Sequence, residues 1–485
     1  MLSWVLALVS AALLVLTFPR FSMVWLAPFA LTPLLVALAR ETRPRRRFLM
    51  GWTAGIVYWF GVCYWIQFVL AYHGGVGEAA GWVLLLLFCC AKALHLGFFA
   101  VLAGVLIRRW WAAPGIAALW VAIEVTHGPL GFAWLTLGNA GVDMGVPMRL
   151  APYTGVYGIS FLFALMATVL AIPFLRRSRL ELLWLAVLPM LLFLPRLPDA
   201  HKGTATALLA QPNLSESADW TPSTVEQTIR RQVALSMQGA LQQVSQPPEL
   251  IVWPEVPAPF YYYEDPTFRT YLNGLARMTR ANVLIGIVAH TPEGAPLNSA
   301  TLISPAGAPV SRYDKVNLVP FGEFVPWPLG AIASHISTEA GDFSAGKRVV
   351  VSPIGSHRLG AFICYESVFP NFVRKFARGG AEVLVNISND GWFGHSSARI
   401  QHLSIVRMRA AENRRWVLRS TNDGLTVTID EAGRVRGGLP PFTEGTSFTG
   451  FNYIAEQTVY TRWGDWFPLV CLTIALLCLV AEFIG

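Results

Sequence analysis

The chain has 485 residues, of which 54% are hydrophobic and only 14% charged, and its formal net charge is +8. A soluble globular domain carries nearer a quarter charged residues, so the composition excludes an ordinary soluble protein and points to a membrane protein with a sizeable water-facing part. The basic balance does not signal a nucleic-acid surface, because the arginines sit beside apolar runs and are split between three short loops.

Apolar stretches of spanning length, about 17–25 residues, are predicted at roughly 2–18, 22–39, 49–71, 80–107, 111–127, 154–175 and 180–195, with a last one at 466–484. The first lacks a basic start and a small-residue cleavage site, which predicts a retained helix rather than a signal peptide. Arginines cluster at 40–47, at Arg108-Arg109 and at 176–179, after the second, fourth and sixth stretches. Positive loops stay cytoplasmic. The expected plan is therefore a transmembrane domain over 1–199, an extracytoplasmic domain over 200–463 and a returning helix over 464–485. Lys92, His95, Glu124 and His127 lie within apolar stretches. Ionisable groups there suggest function or a polar cavity, and the sequence assigns them no role.

Beyond residue 200 the pattern changes. Strands are predicted at 204–211, 250–253, 283–289, 300–303, 309–313, 359–364, 382–387, 416–420 and 425–429. Helices are predicted at 222–244, 266–281, 369–379 and 398–415. The Ser304-Pro-Ala-Gly307 tetrad between two strands signals a hairpin. Strand–helix alternation over this length argues an α/β domain of helices layered on sheet. Two stretches stand apart: the aromatic loop Pro257–Pro266, and a long apolar connection from Val325 to about Phe343. Their Tyr, Trp and Leu content suits either a lid at the lipid interface or ordinary packing.

Of six cysteines, Cys63, Cys89, Cys90, Cys471 and Cys478 lie in apolar stretches, leaving Cys364 alone in the polar segment. A lone thiol is either packing or a nucleophile. Its surroundings favour the second. Ile251-Val-Trp-Pro-Glu255 is a buried-strand pattern ending on a carboxylate. Lys315 leaves a hairpin strand, with Glu323 eight residues on, and Cys364 ends the run Leu359–Ile363. Residues at strand C-termini of an α/β sheet face one crevice, so Glu255, Lys315 and Cys364 are expected to converge. A thiol of pKa about 8.5 is mostly protonated at neutral pH. Glu255 can take its proton, and Lys315 with the Tyr365 backbone N–H can stabilise an oxyanion. Glu323 can orient Lys315 or relay the proton. Glu366 reads equally as a site residue or as a structural hydrogen-bond acceptor.

Trp253-Pro-Glu255, Tyr313-Asp-Lys315 with Pro320-Phe-Gly-Glu323, and Cys364-Tyr-Glu366, in that order, resemble the Glu–Lys–Cys set of the nitrilase superfamily. With the apolar helices on either side, the whole chain is similar to the apolipoprotein N-acyltransferase family. Asn389-Asp-Gly-Trp-Phe-Gly394, Gln401-His-Leu403, Arg407-Met-Arg-Ala410 and Arg419-Ser-Thr-Asn-Asp-Gly424 extend the match. Asp423, where Asn is common, and the Phe260-Tyr-Tyr-Tyr263 run depart from it.

The resemblance implies an αββα sandwich beside a multi-span helical domain. It implies a two-step acyl transfer from a membrane phospholipid, through a thioester on Cys364, to the α-amino group of the diacylglyceryl-modified N-terminal cysteine of an apolipoprotein. It also implies supporting or substrate-binding roles for Trp253, Glu323, Tyr365, Glu366, Asn389 and Trp392, and a bacterial inner membrane with the catalytic domain on the periplasmic side. Neither a cofactor nor a nucleic-acid partner is expected. The alternatives are a membrane-tethered amidase that gives its acyl group to water, and a transporter or lipid-binding protein with a degenerate domain.

Several other patterns carry no function. Gly341–Arg348 approaches a phosphate-binding loop but has Arg348 in place of the Ser or Thr that binds Mg²⁺. Gly75–Ala80 mimics a dinucleotide fingerprint without a preceding strand. His395 and His402 lack metal-ligand spacing, and structural roles are expected for both.

Overall fold

The computed structural model describes residues 1–129, 132–175, 179–215, 219–243, 245–256, 258–324 and 343–484. The chain divides into two units, one of residues 1–71, 77–197 and 462 onward, the other of residues 72–76 and 198–461. The apolar connection expected from Val325 to about Phe343, as a lid or as ordinary packing, lies outside the described residues up to 342, as do Arg176 and Arg177 of the third basic cluster.

The first unit is helical. Glu78–Leu106, with 29 residues, and Val156–Leu175, with 20, are long and apolar enough to cross a membrane. Pro44–Cys63 and Ile66–His73 pass that test as a pair but are bent by 68° at their junction. Leu2–Thr17, Ala112–His127, Leu180–Phe193 and Trp466–Glu482 are apolar but shorter. Two further expected stretches are not continuous helices. Residues 22–39 form a 3₁₀ turn, Val24–Leu26, and a helix, Thr32–Arg40, because Pro28 and Pro33 supply no backbone N–H and Pro33 opens the second element. Residues 180–195 form short turns, Arg179–Ala186, Val187–Met190 and Leu191–Phe193, around Pro189. The Gly51-x-x-x-Gly55 spacing lets Pro44–Cys63 pack closely on its neighbour: a Cβ on Gly55 would stand 2.8 Å from that of Ala93.

The second unit carries strands β1 (Ala205–Gln211), β2 (Leu250–Val252), β3 (Asn282–His290), β4 (Pro296–Ile303), β5 (Pro309–Asp314), β6 (Val351–Ile354), β7 (His357–Ile363), β8 (Val383–Ser388), β9 (Val417–Thr421), β10 (Thr426–Ile429), β11 (Val435–Leu439) and β12 (Gly445–Phe451). They form two six-stranded sheets, ordered β12-β1-β2-β3-β4-β5 and β11-β10-β9-β8-β7-β6. The central strands β1–β2–β3 and β7–β8–β9 run parallel, and the outer pairings are antiparallel. The sheets face each other, and the Ser420 hydroxyl of β9 donates to the Ala210 carbonyl of β1 at 2.7 Å.

Helices cover the outer faces. Leu208, Ile251, Val283, Ile285 and Ile287 alternate along β1, β2 and β3 and pack with Ile229, Phe268, Leu272 and Leu275 of helices Pro222–Leu241 and Pro266–Thr279. Both helices begin at Pro, behind Thr221 and Asp265 side chains that accept from first-turn N–H groups. Helices Pro370–Arg378 and Ala398–Asn413 cover the second sheet. The architecture is the expected αββα sandwich, with three strands the sequence does not announce. β6, β11 and β12 are all edge strands, and β6 contains Pro353 while β11 contains Gly437-Gly438. Such residues are tolerated at edges, where pairing with the neighbour, rather than a local apolar pattern, makes the strand.

Candidate active site

Chemistry-bearing side chains follow the ends of the parallel strands β2, β7 and β8 and of the antiparallel edge strand β5. Glu255 comes three residues after β2, Lys315 directly after β5, Cys364 directly after β7 and Asn389 directly after β8. Gly286 of β3 allows the Glu255 segment to lie where it does, since a Cβ there would come within 2.6 Å of the Val256 nitrogen.

Lys315 is the centre of the constellation and is 1% exposed. Its Nζ donates to Glu255 Oε1 at 2.9 Å and to Glu323 Oε1 at 3.0 Å. Asn298 binds the same two carboxylates through one Nδ2, at 2.8 Å to Glu255 and 2.7 Å to Glu323. The second oxygen of Glu255 accepts from the Asn389 backbone N–H at 2.9 Å, and that of Glu323 from the Val319 N–H at 2.8 Å. Burial alone would depress the Lys315 ammonium, but the two carboxylates and Cys364 outweigh it and hold its pKa well above the ordinary lysine value. Lys315 therefore stays charged.

Cys364 opens the 3₁₀ turn Cys364–Val368 with φ +46°, a left-handed conformation that a side chain other than glycine adopts only under constraint. Burial and the Glu255 carboxylate push its thiol pKa up, while Lys315 and a hydrogen bond with Ser388 pull it down. The net direction is upward, so the resting sulfur is protonated and needs a base. Glu255 is held by three donors, and its charge acts on the thiol after burial as the next cause of that upward shift.

Glu366 is fully buried, and its role is structural. Its Oε1 accepts from the Tyr313 hydroxyl at 2.6 Å and from the Val316 and Asn317 N–H groups at 2.8 and 3.1 Å. Its Oε2 accepts from the Ile363 N–H at 2.8 Å. One carboxyl thus ties the segment that follows Lys315 to the turn that carries Cys364. Burial raises its pKa from 4.5 to about 7, against the pull of those donors. The folded state then holds this proton more tightly than the unfolded chain does, so stability should fall as pH rises from about 4.5 to about 7. Glu366→Gln should flatten that slope by on the order of 3 kcal/mol across the window. It should add a pH-independent loss, because its amide NH₂ would meet the Ile363 N–H. Chemical denaturation of both proteins at pH 5 and pH 8 measures this.

A polar cluster lies beneath the Cys364 turn. Asp390 accepts from Arg419 Nη2 at 2.9 and 2.8 Å and from the Ser388 hydroxyl at 2.9 Å, and all three residues are completely buried. Burial opposes ionisation of Asp390, but Arg419 outweighs it and holds the carboxyl well below its usual range. His402 sits among them with its pKa lowered, first by burial and then by Arg419. Sequence reasoning assigned no site role to Asn298, Ser388, Asp390 or Arg419. The signal available was Arg419 itself, a charged residue inside the apolar pattern of β9, where burial requires a partner.

The other expected residues are placed variously. Asn389 contributes its backbone N–H to Glu255, while its side chain accepts from Gly391 N–H at 3.3 Å. Tyr365 is buried edge-on to Phe369. Trp392 is half-buried, its ring 4.4 Å from that of His73. Trp253 is a correction: it is 1% exposed, belongs to the core beneath the outer helices and donates its indole N–H to Ser236 at 2.9 Å. It faces away from the crevice because it alternates in step with Ile251. In the aromatic loop, Phe260 and Tyr262 are core residues while Tyr261 and Tyr263 are exposed. Among the described residues, no cluster of three or more His, Cys, Asp and Glu side chains is arranged to hold a metal ion.

Comparison with known proteins gives a consistent assignment. Residues 207–454 match the carbon–nitrogen hydrolase family, and residues 10–169 match the apolipoprotein N-acyltransferase N-terminal domain. Apolipoprotein N-acyltransferase of Geobacter metallireducens is 34% identical, over 97% of this chain and 93% of its own length. That of Pseudomonas syringae pv. tomato is 33% identical over 92% of each.

Proposed function

The chain belongs to the apolipoprotein N-acyltransferase family, and on that premise we propose that it moves an acyl chain from a membrane phospholipid to the α-amino group of a lipid-modified N-terminal cysteine on an apolipoprotein. Cys364, Glu255 and Lys315 carry the reaction. The observation behind this assignment is a lone thiol of the polar unit held at positive φ, coupled to a buried ammonium that two carboxylates share.

In the first step Glu255 takes the thiol proton as sulfur attacks the ester carbonyl. Negative charge that develops on the carbonyl oxygen is met by Lys315 and the Tyr365 backbone N–H. The ester C–O bond breaks, Glu255 returns its proton to the departing alkoxide, and a lysophospholipid leaves a thioester on Cys364. In the second step the amine attacks that thioester. Glu255 accepts the amine proton and passes it to the leaving sulfur, which restores the thiol. One site thus serves two bulky partners in turn, with ping-pong kinetics.

In this reading residues 200–463 form the catalytic domain, the apolar helices of 1–199 and 464–485 anchor it, and it faces the periplasm from a bacterial inner membrane. The juxtamembrane arginines support that orientation. Mass spectrometry of the full-length protein incubated with phospholipid should find an acyl adduct on Cys364, and adding an amine-terminated diacylglyceryl lipopeptide should discharge it as amide. In Glu255→Gln the adduct should form at least 10²-fold more slowly. No adduct under conditions where lipopeptide is acylated would refute the thioester. Discharge to water at the rate seen with lipopeptide would instead indicate an amidase.

A further inference from the structure

Cys364 is gripped from below by His402, and the contacts select one tautomer of that ring. His402 Nε2 lies 3.1 Å from the Cys364 carbonyl oxygen and 2.9 Å from Ser367 Oγ. Its Nδ1 lies 3.2 Å from both Asp390 Oδ1 and Arg419 Nη2. Arg419 can only donate and Asp390 can only accept, so Nδ1 satisfies one of the two in either neutral form, and the decision falls to Nε2, where the Cys364 carbonyl can only accept and calls for a proton on that nitrogen. The other neutral tautomer would aim a bare Nε2 at the Cys364 carbonyl, lone pair against lone pair. The imidazolium is disfavoured by complete burial beside Arg419. A neutral ring with its proton on Nε2 therefore donates to the backbone of the residue that sits at φ +46°.

His402 comes from helix Ala398–Asn413, Arg419 from β9 and Asp390 from the turn after β8, and Arg419 Nη1 also donates to Asn386 of β8. Three elements outside the Glu255–Lys315–Glu323 set thus converge on the nucleophile turn. Ser388 links the same cluster to the sulfur electrostatically: its hydroxyl donates to Asp390 at 2.9 Å, and the residue pulls the Cys364 thiol pKa down. The cluster holds Cys364 by its carbonyl.

We propose that His402 is a positioning residue for the nucleophile: its Nε2–H holds the Cys364 carbonyl and keeps the turn in the left-handed conformation that presents the thiol to Glu255 and Lys315. It touches neither substrate. The proposal rests on Cys364 being the nucleophile, but not on which acyl donor the protein uses. Loss of the contact should slow attack by sulfur, because a misplacement of about 1 Å costs on the order of 10²-fold, and should leave donor affinity unchanged.

The test compares His402→Gln, whose amide NH₂ reaches about as far as Nε2, with His402→Asn, whose shorter amide stops near Nδ1. Three rates are read on the full-length protein: thioester formation from phospholipid in a single turnover, its dependence on donor concentration, and alkylation of Cys364 by iodoacetamide across pH. His402→Asn should slow thioester formation and alkylation 10- to 100-fold with KM for donor within twofold, while His402→Gln recovers at least tenfold of that loss. Equal rates for the two variants, or a folded His402→Asn at wild-type rates, would overturn the proposal. Nitrogen-15 shifts of His402 in the unmodified protein form a second arm: a proton on Nε2 supports the assignment and one on Nδ1 overturns it. If alkylation responds to the substitutions as stated but phospholipid never acylates Cys364, the positioning role stands and the acyl-donor reading fails.

Discussion

Cys364→Ala should abolish acyl transfer, by at least about 10³-fold, while leaving the fold intact. The residue is 8% exposed, and alanine removes one sulfur from its small site without adding volume or charge. The backbone contacts of the turn, from His402 and the neighbouring Glu366, do not involve that atom. The loss should therefore appear in kcat with little movement of the thermal transition. Cys364→Ser should be nearly as inactive, because a hydroxyl ionises far less readily than a thiol already pushed up by burial. Activity assays on detergent-solubilised protein, with melting curves alongside, measure both. Retention of more than about 1% of activity in Cys364→Ala would exclude covalent catalysis at this residue.

Lys315→Met should damage stability as well as activity. The methionine side chain fills similar space, but buried Glu255 and partly buried Glu323 would then face each other, with Asn298 the one donor they still share among the described residues. Removing one partner of a buried ionic cluster typically costs about 3–5 kcal/mol, because the remaining charge stays desolvated. The sign of the pH dependence identifies the cause. The two carboxylates can relieve their repulsion by taking up a proton, so the variant should be least destabilised near pH 5 and most near pH 8. The Glu323→Gln, Lys315→Met double substitution should recover part of the loss. Denaturation at the two pH values measures this, and a pH-independent loss would mean that repulsion between the carboxylates is not its origin. Acyl transfer should fall by at least about 10²-fold at either pH, since no cation remains for the developing oxyanion.

How far the site was legible in the sequence depended on the range of the signal. Glu255 and Cys364 each follow a strand whose apolar run can be read within a few residues, and Lys315 follows a hairpin strand marked by its turn, so their convergence followed from the geometry of strand ends. Trp253 was misread because both faces of its sheet are covered. In an αββα sandwich either side of β2 looks apolar, and no local pattern says which face meets helices and which the other sheet. Residues 22–39 and 180–195 were read as continuous spans because hydropathy averages over prolines that the backbone cannot ignore.

By itself the sequence determined the division into an apolar helical part and an α/β part, and the residue types able to perform acyl transfer. Those properties rest on composition and on periods of two to four residues, which the chain carries locally. Only the tertiary structure decided that Asn298 bridges two carboxylates, that Glu366 fastens two loops, and that Asp390, Arg419 and His402 assemble under the nucleophile. Each of these depends on hydrogen bonds between elements far apart along the chain, whose partners are chosen by how sheets and helices pack.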